Sequence, residues 1–325
     1  MIKIGIIGAG FIANKFCEAV KKGEMDAILY AIGSRSLEKA KQFKQMHNFK
    51  VAFGSYQELY ADKDIDLIYV ATPHGLHYDH MMEILDYSKN IICEKPFTLN
   101  ANQAKEVFAK AKRKKVFIME AMWTRFLPTI RELETLIDDG IIGDVTRLEA
   151  DFCFTPNKGD DNRLFQPKLG GGALLDIGIY PITFANIFLG RPKSFDSEVK
   201  MYKTGVDIAE TIYYNYPDAQ AILKVALNYD SPLKCIITGT EGRVIIEGLH
   251  ETELAKIYNL DNELIKEIKH PHEVNGFEYE IKEAIECIKN NKLESEIIPH
   301  SETMNILTQM DNIRNSWDFS YPQEN

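Results

Sequence analysis

The chain begins with a short apolar run that leads directly into a glycine-rich turn. Ile2–Ile7 is rich in β-branched residues, as expected of a buried parallel strand. The turn that follows, Gly8-Ala9-Gly10-Phe11-Ile12-Ala13, reads G-x-G-x-x-A and opens a segment with helical spacing. In such a turn Gly8 permits the tight bend, Gly10 lets the backbone approach a pyrophosphate, and Ala13 allows close helix–strand packing. The helix N-terminus attracts phosphates through its free N–H groups. The pattern predicts dinucleotide binding by Gly8, Gly10, Phe11 and Ile12, the alternative being a glycine turn in an unrelated α/β domain.

The end of the second predicted strand bears on which dinucleotide is bound. An NAD-selective site places an acid about 20 residues after the last small residue of the turn. That position is Gly33 here, and no acid occurs between Asp26 and Glu38. The hydroxyl of Ser34 and the guanidinium of Arg35 suit a 2′-phosphate instead. We therefore expect NADP(H) to be preferred. If Arg35 is only a solvated residue beside a helix cap, NAD(H) is accepted as well.

The order of predicted elements indicates two domains. Up to residue 120, strand-like runs alternate with helical patterns, which implies βαβ units and a doubly wound parallel sheet of the Rossmann type. From residue 121 the pattern changes to alternating strands and hairpin-like turns at Pro217-Asp218, Thr240-Glu241-Gly242 and Asp261-Asn262. We predict a dinucleotide-binding domain over residues 1–120 and an α+β domain with a large open-faced antiparallel sheet over residues 121–325. The last residues, Tyr321–Asn325, are expected to form a polar tail.

Composition excludes several classes of protein. The 325 residues carry a formal net charge of −10, which disfavours nucleic acid as a partner. Apolar runs shorter than about ten residues are too short to span a bilayer, so no membrane association is expected. No signal-peptide pattern precedes the first strand, and a cytoplasmic location is predicted. Five scattered cysteines and a histidine pattern without metal-ligand spacing predict neither a disulfide framework nor a metal site.

Polar residues follow several strands of the predicted parallel sheet, at the edge where such sheets bind ligands. Glu94-Lys95-Pro96 ends one strand, and Lys95 there could bind a substrate hydroxyl and lower the pKa of a neighbouring acid. The alternative is a surface lysine paired with Glu94. Thr72 and Pro73 follow another strand and are expected to form a wall against the nicotinamide ribose. His77 lies beside them, more in keeping with a packing or capping role than with catalysis.

A second polar cluster is predicted in the C-terminal half. Three glycines, Gly170 to Gly172, precede an apolar helical segment in which Asp176 and Tyr180 are spaced i, i+4 and share a face. A carboxylate and a phenol on one face suit proton transfer, provided that a cation assists the phenol, whose ordinary pKa is near 10. Lys95 could be that cation. The alternative is an ordinary helix with a half-buried tyrosine. Trp123 and Arg125 are candidates for the substrate pocket or for packing at the domain junction.

Taken together, these motifs resemble the Gfo/Idh/MocA family of nicotinamide-dependent oxidoreductases over about Ile2 to Trp317. The most specific elements are the G-x-G-x-x-A turn, the Glu94-Lys95-Pro96 triplet and the Asp176/Tyr180 helix. The resemblance implies that Lys95 is the family's catalytic lysine and that Asp176 contacts substrate. Tyr180 stands where inositol dehydrogenase-like members have a catalytic histidine. A tyrosine at this position resembles the dihydrodiol dehydrogenase and glucose–fructose oxidoreductase branch instead.

The resemblance implies a reaction and an assembly. We expect hydride transfer between NADP(H) and a hydroxyl-bearing carbon of a sugar, polyol or trans-dihydrodiol, with catalysis by Lys95, Tyr180 and Asp176. Cofactor contacts are expected at Glu94 and Lys95, and also at Gly8, Gly10, Phe11, Ile12, Ser34, Arg35, Thr72, Pro73 and His77. The family resemblance also implies a homodimer or homotetramer that assembles through the C-terminal sheet. Two alternatives are a non-catalytic NAD(P)-binding redox sensor and a biliverdin-reductase-like reductase of a carbonyl or conjugated C=C bond.

Overall fold

A computed structural model of the chain describes residues 1–157, 159 and 162–324. Its strands are β1 (Ile2–Ile7), β2 (Ala27–Gly33), β3 (Val51–Phe53), β4 (Leu67–Val70), β5 (Asn90–Glu94), β6 (Ile118–Ala121), β7 (Val145–Cys153), β8 (Ser194–Met201), β9 (Asp207–Asn215), β10 (Gln220–Ala226), β11 (Lys234–Gly239), β12 (Gly242–Glu247), β13 (Leu254–Asn259) and β14 (Leu264–Lys269). Its α-helices are α1 (Phe11–Lys22), α2 (Leu37–His47), α3 (Tyr56–Ala61), α4 (His77–Asp86), α5 (Ala101–Lys114), α6 (Pro128–Asp138), α7 (Ile179–Leu189), α8 (Phe277–Lys289) and α9 (His300–Ser316).

The chain forms two compact units. The first comprises Met1–Trp123 together with His272–Leu307, and the second comprises Thr124–Pro271 together with Thr308–Asn325. The boundary at Trp123 lies close to the predicted one. The predicted second domain, residues 121–325, includes His272–Leu307, whereas in the structure this segment packs within the first unit, where α8 lies against α1.

The first unit is built on a parallel sheet of six strands in the order β3-β2-β1-β4-β5-β6. The strand order reverses between β1 and β4, and ligands of doubly wound sheets bind beside such a point, at the carboxyl ends of the strands. Strand β4 is buried throughout and β1 is buried from Ile4 to Ile7, which explains the apolar sequences of these stretches. Side chains cap the starts of two helices: Ser36 Oγ accepts from the N–H of Lys39 at 3.3 Å, and Asn100 Oδ1 accepts from that of Gln103 at 2.9 Å.

The second unit contains a sheet of eight strands in the order β14-β13-β12-β11-β7-β10-β9-β8. The three predicted hairpins are confirmed as β9–β10, β11–β12 and β13–β14. The sheet is mixed rather than wholly antiparallel, because β7 and β10 pair in parallel. Turn signals report only on strands adjacent in sequence, so they could not predict a pairing between strands separated by more than 60 residues.

One apolar stretch in the second unit is longer than the runs of under about ten residues from which no membrane association is expected. Pro167–Leu189 is long and apolar enough to cross a membrane by length and composition, and 83% of its best window is buried inside the protein. The stretch is also interrupted, since a 3₁₀ turn, three glycines and a π-helical turn at Leu174–Gly178 precede α7. It is therefore a core segment of the folded unit, whose apolar character reflects burial on all sides.

The C-terminal residues also differ from the prediction. Tyr321 is fully buried, and Pro322–Glu324 forms a 3₁₀ turn instead of an extended polar tail. The sequence of the segment is mostly polar, but its aromatic residue, Tyr321, is buried.

Candidate active site

The glycine-rich turn adopts the geometry that a bound pyrophosphate requires. Gly8 has φ +94°, and a Cβ added there would lie 2.5 Å from the carbonyl oxygen of Ala71. A Cβ on Gly10 would instead enter open space, with nothing within 4 Å. Gly10 is also the N-cap of α1, where no side chain caps the helix and no acid occupies the first turn. The free N–H groups of this turn therefore fit a phosphate-bearing cofactor.

The end of β2 presents a cation and no acid. Ser34 is buried and its Oγ accepts from the N–H of Ser36 at 3.3 Å. Arg35 is exposed and forms no ion pair within the part of the chain that the structure describes. Its charge is therefore available for a ligand, and the geometry suits the 2′-phosphate better than a free ribose hydroxyl.

The end of β4 contributes a buried hydroxyl and a supporting histidine. Thr72 Oγ1 is buried and has no hydrogen-bond partner among the described residues, which marks it as a group that a ligand could satisfy. Pro73 next to it caps the 3₁₀ turn His74–Leu76. His77 is fully buried, with Nδ1 3.0 Å from the carbonyl oxygen of Pro96 and Nε2 2.8 Å from that of Thr72.

The role of His77 follows from this burial. Burial lowers its pKa to about 4, so the ring is neutral at pH 7 and donates to one of the two carbonyls at a time. The ring joins the loops after β4 and β5. His77 therefore links Thr72 and Pro96 through these two contacts, and the cofactor contact expected for it stays a prediction.

Lys95 lies beside a group of buried acids. Glu94 accepts a hydrogen bond from the Tyr69 hydroxyl, and Glu120 on β6 accepts from the N–H of Phe97 at 2.9 Å. Burial raises the pKa of Glu120, while hydrogen bonds from Thr303 and Phe97 and the charge of Lys95 oppose this increase. The Lys95–Pro96 peptide bond is cis.

Glu280 on α8 completes this acidic group. Its side chain is fully buried, and neither carboxyl oxygen has a hydrogen-bond partner within the described residues. Burial raises the pKa of Glu280 well above its ordinary value, and the charges of Glu94 and Glu120 raise it further. Lys95 follows Glu94 in the chain and carries a charge that acts on the buried carboxyl group of Glu120.

In the second unit, Asp176 forms an ion pair that the sequence did not suggest. Its Oδ1 accepts from Nη2 of Arg163 at 2.9 Å, and the aspartate side chain is 7% exposed whereas that of the arginine is 45% exposed. Asp176 lies in the π-helical turn, which is wider than an α-helical turn. The i, i+4 spacing between Asp176 and Tyr180 is therefore not the regular α-helical one that the sequence predicts. Arg163 follows Asn162 in a loop where sequence offers no periodic signal.

Tyr180 lies in an aromatic environment at the start of α7. It is 5% exposed, and its ring centroid lies 5.3 Å from that of Phe152 and 5.8 Å from that of His250. Phe152 also stacks on His250, at 4.7 Å. Phe152 could be found from the alternation of β7, whereas His250 lies in a turn and could not.

Trp123 and Arg125 belong to different units. Trp123 packs on Phe277 at 4.8 Å, and a Cβ on Gly276 would lie 2.5 Å from the indole. These contacts favour the packing alternative for Trp123, while Arg125 lies beyond the boundary, in the second unit. Among the residues that the structure describes, no group of His, Cys, Asp and Glu side chains could hold a metal ion.

Comparison with known proteins agrees with this geometry. Residues 2–122 match the model of an oxidoreductase family with an NAD-binding Rossmann fold, and residues 130–245 match the GFO/IDH/MocA C-terminal domain. Trans-1,2-dihydrobenzene-1,2-diol dehydrogenase of Xenopus laevis is 36% identical over 98% of this chain and 99% of its own. The scyllo-inositol 2-dehydrogenase (NADP(+)) of Bacillus subtilis is 33% identical over 100% of this chain and 99% of its own.

Solved structures share the fold over nearly the whole chain. A 3-ketoreductase from Actinomadura kijaniata, in complex with NADP and TDP-benzene, superposes with a TM-score of 0.87 at 24% identity, over 97% of both chains. An aldose-aldose oxidoreductase from Caulobacter crescentus superposes equally well, with a TM-score of 0.87 at 21% identity over 97% of both chains. The resemblance seen in the motifs is confirmed, and the chain belongs to the GFO/IDH/MocA family of oxidoreductases.

Proposed function

We propose that the protein is an NADP(H)-dependent dehydrogenase acting on a hydroxyl-bearing carbon of a sugar, polyol or trans-dihydrodiol. The observation that carries this proposal is the full-length similarity to the dihydrodiol and scyllo-inositol dehydrogenases, which are named for substrates with neighbouring ring hydroxyls. The retained Lys95, Asp176 and Tyr180 support an enzymatic role over a redox-sensing one, since a sensor has no need of a proton-transfer set.

Two features support the choice of cofactor. The open space at Gly10 and the uncapped start of α1 fit the pyrophosphate. The exposed guanidinium of Arg35 and the absence of an acid before Glu38 favour a 2′-phosphate, and hence NADP(H) over NAD(H). When bound, the nicotinamide supplies the hydride acceptor or donor.

The chain's own residues would handle the proton and orient the substrate. Tyr180 takes the proton of the reacting hydroxyl in oxidation and returns it in reduction, with Lys95 as the cation that stabilises the phenolate form. Asp176 orients a second hydroxyl of the substrate, and a preference for vicinal diols is therefore expected. Arg163, paired with Asp176, fixes the direction of that carboxylate.

A substrate panel with matched variants tests the proposal. Trans-diols, polyols and aldoses are each offered with NADP⁺, and turnover is followed by nicotinamide absorbance. We expect Lys95→Met and Tyr180→Phe each to lower kcat at least about 100-fold, because each removes a group that handles the proton. NADPH affinity should change little for Tyr180→Phe.

The controls are exposed residues of the same types, Lys63→Met and Tyr87→Phe, which should retain wild-type turnover. Near-wild-type kcat for either active-site variant removes that residue from the mechanism. Failure of the wild-type protein to turn over any alcohol or carbonyl compound favours the redox-sensor alternative.

We also propose a cytoplasmic enzyme that assembles through its large sheet. All five cysteines are buried free thiols, in keeping with a reducing compartment. On the sheet, half-exposed Tyr213, Ile222, Ile236 and Ile245 lie in one row across β9 to β12, on either side of the exposed Glu149 of β7. A second copy covering this row would give a homodimer or, with a further interface, a homotetramer. Light scattering on the purified protein distinguishes these from a monomer.

A further inference from the structure

We infer that the C-terminal residues Tyr321–Glu324, here called the C-terminal latch, position Gly170–Gly172. This glycine run directly precedes the turn and the helix that carry Asp176 and Tyr180. The inference rests on the proposed function, because it takes those two residues to be the substrate-facing groups. The latch residues themselves do not touch the reacting atoms, so they are positioning residues.

The latch contacts the glycine run directly. Tyr321 is fully buried, and its hydroxyl donates to the carbonyl oxygen of Gly171 at 2.7 Å. Next to this point, a Cβ on Gly172 would lie 3.2 Å from the same hydroxyl and 2.4 Å from Oδ1 of Asp207. The tyrosine therefore fits against a backbone that only glycine allows, since Gly172 also has φ +122°.

A buried ion pair holds the latch in place. The Glu324 carboxylate accepts from Nη1 and Nη2 of Arg314 at 2.8 and 2.9 Å, and also from the N–H of Tyr321 at 2.6 Å. Arg314 is 3% exposed, and its guanidinium lies 4.9 Å from the centre of the Tyr321 ring. It also binds Asp311 at 2.8 Å on α9. A planar, bidentate pair of this kind fixes orientation as well as position.

The other side of the glycine run is fixed as well. The N–H of Gly171 donates to Gln166 at 3.1 Å, and the N–H of Gly172 donates to Leu164 at 2.9 Å. Asp207, which is fully buried, accepts from the N–H of Leu174 at 2.6 Å and so anchors the start of the π-helical turn. The latch supplies the remaining restraint, on the carbonyl of Gly171.

Such restraint matters because of what the run must do. Consecutive glycines have more conformational freedom than other residues, so an ordered glycine run depends on its contacts. Asp176 lies five residues after Gly171, within a π-helical turn, and Tyr180 follows at the start of α7. A shift of the run would move both groups, and proton transfer is sensitive to small displacements.

The experiment compares Tyr321→Phe and Glu324→Gln with the exposed control Tyr87→Phe in the full-length protein. For Tyr321→Phe we expect kcat to fall about tenfold, equivalent to about 1.4 kcal/mol in the barrier. Glu324→Gln should give a smaller loss in the same direction, because its amide keeps one acceptor for Arg314. The KM for NADP⁺ and the NADPH binding stoichiometry should stay at wild-type values, since the cofactor-binding residues lie in the first unit.

Combination with Tyr180→Phe tests whether the latch acts through the active site. Adding Tyr321→Phe to Tyr180→Phe should lower kcat by less than it does alone, because the two residues act on one step. Equal factors on both backgrounds, or a loss of NADPH stoichiometry in parallel with kcat, would overturn the inference in favour of a general folding role. Unchanged kcat in both latch variants would overturn it too, while leaving the proposed function intact. Wild-type kcat for Tyr180→Phe alone instead refutes the assignment of Tyr180 within the proposed function.

Discussion

Replacing Arg35 by alanine tests the expected preference for NADP(H). The guanidinium is exposed and forms no ion pair with the described residues, so the substitution removes a ligand contact without breaking an internal one. Hydrogen bonds to charged groups contribute about 1.5–3 kcal/mol, and solvent exposure places Arg35 at the lower end of that range. Since 1.4 kcal/mol is a factor of ten, the Kd for NADPH should rise about tenfold or somewhat more. The Kd for NADH should stay the same, because its ribose carries no phosphate.

The assay is fluorescence titration of both reduced cofactors at two ionic strengths. The wild-type affinity for NADPH should weaken more with salt than that for NADH, and Arg35→Ala should remove this difference. Lys41→Ala, which eliminates an exposed cation on α2, serves as the matched control and should leave both affinities unchanged. An unchanged NADPH affinity in Arg35→Ala, or tighter binding of NADH by the wild-type protein, would refute the reasoning.

Two further predictions concern the first unit. Gly8→Ala should lower Tm by roughly 4–8 °C or more, since an L-residue at φ +94° costs about 2 kcal/mol and its Cβ would also meet the carbonyl of Ala71. Gly205→Ala has nearly the same φ of +93° but open space around its Cβ, so calorimetry should show a smaller loss; equal losses would contradict the steric argument. Burial raises the pKa of Glu280 in the folded state, so wild-type stability is lost as pH rises above the unfolded value near 4.5. Glu280→Gln lacks this loss, and its Tm advantage over wild type should grow with pH, whereas exposed Glu286→Gln should show no such trend.

The nucleotide-binding half could be predicted closely because its signals are local. The G-x-G-x-x-A turn, the helix caps at Ser36 and Asn100, and continuous apolar strands each specify their element from neighbouring residues. The hairpins of the second unit were equally readable from their turn residues. In both cases the information lies within one or two elements of chain.

Features that depend on distant pairing could not be predicted. The packing of His272–Leu307 within the first unit, which brings Glu280 close to Glu94, joins segments separated by the whole of residues 124–271. The Arg163–Asp176 ion pair comes from a loop without periodicity. Tyr321 is buried against Arg314 and the glycine run. The sequence near Tyr321 contains no pattern that predicts these contacts.

Isotope transfer tests the central claim most directly. A diol or polyol found active in the panel is prepared with deuterium on its reacting carbinol carbon and incubated with the protein and NADP⁺. We expect the reduced cofactor to carry that deuterium and Tyr180→Phe to form it far more slowly. Reduced cofactor without the label, or label transfer at the same rate in the variant, would contradict it.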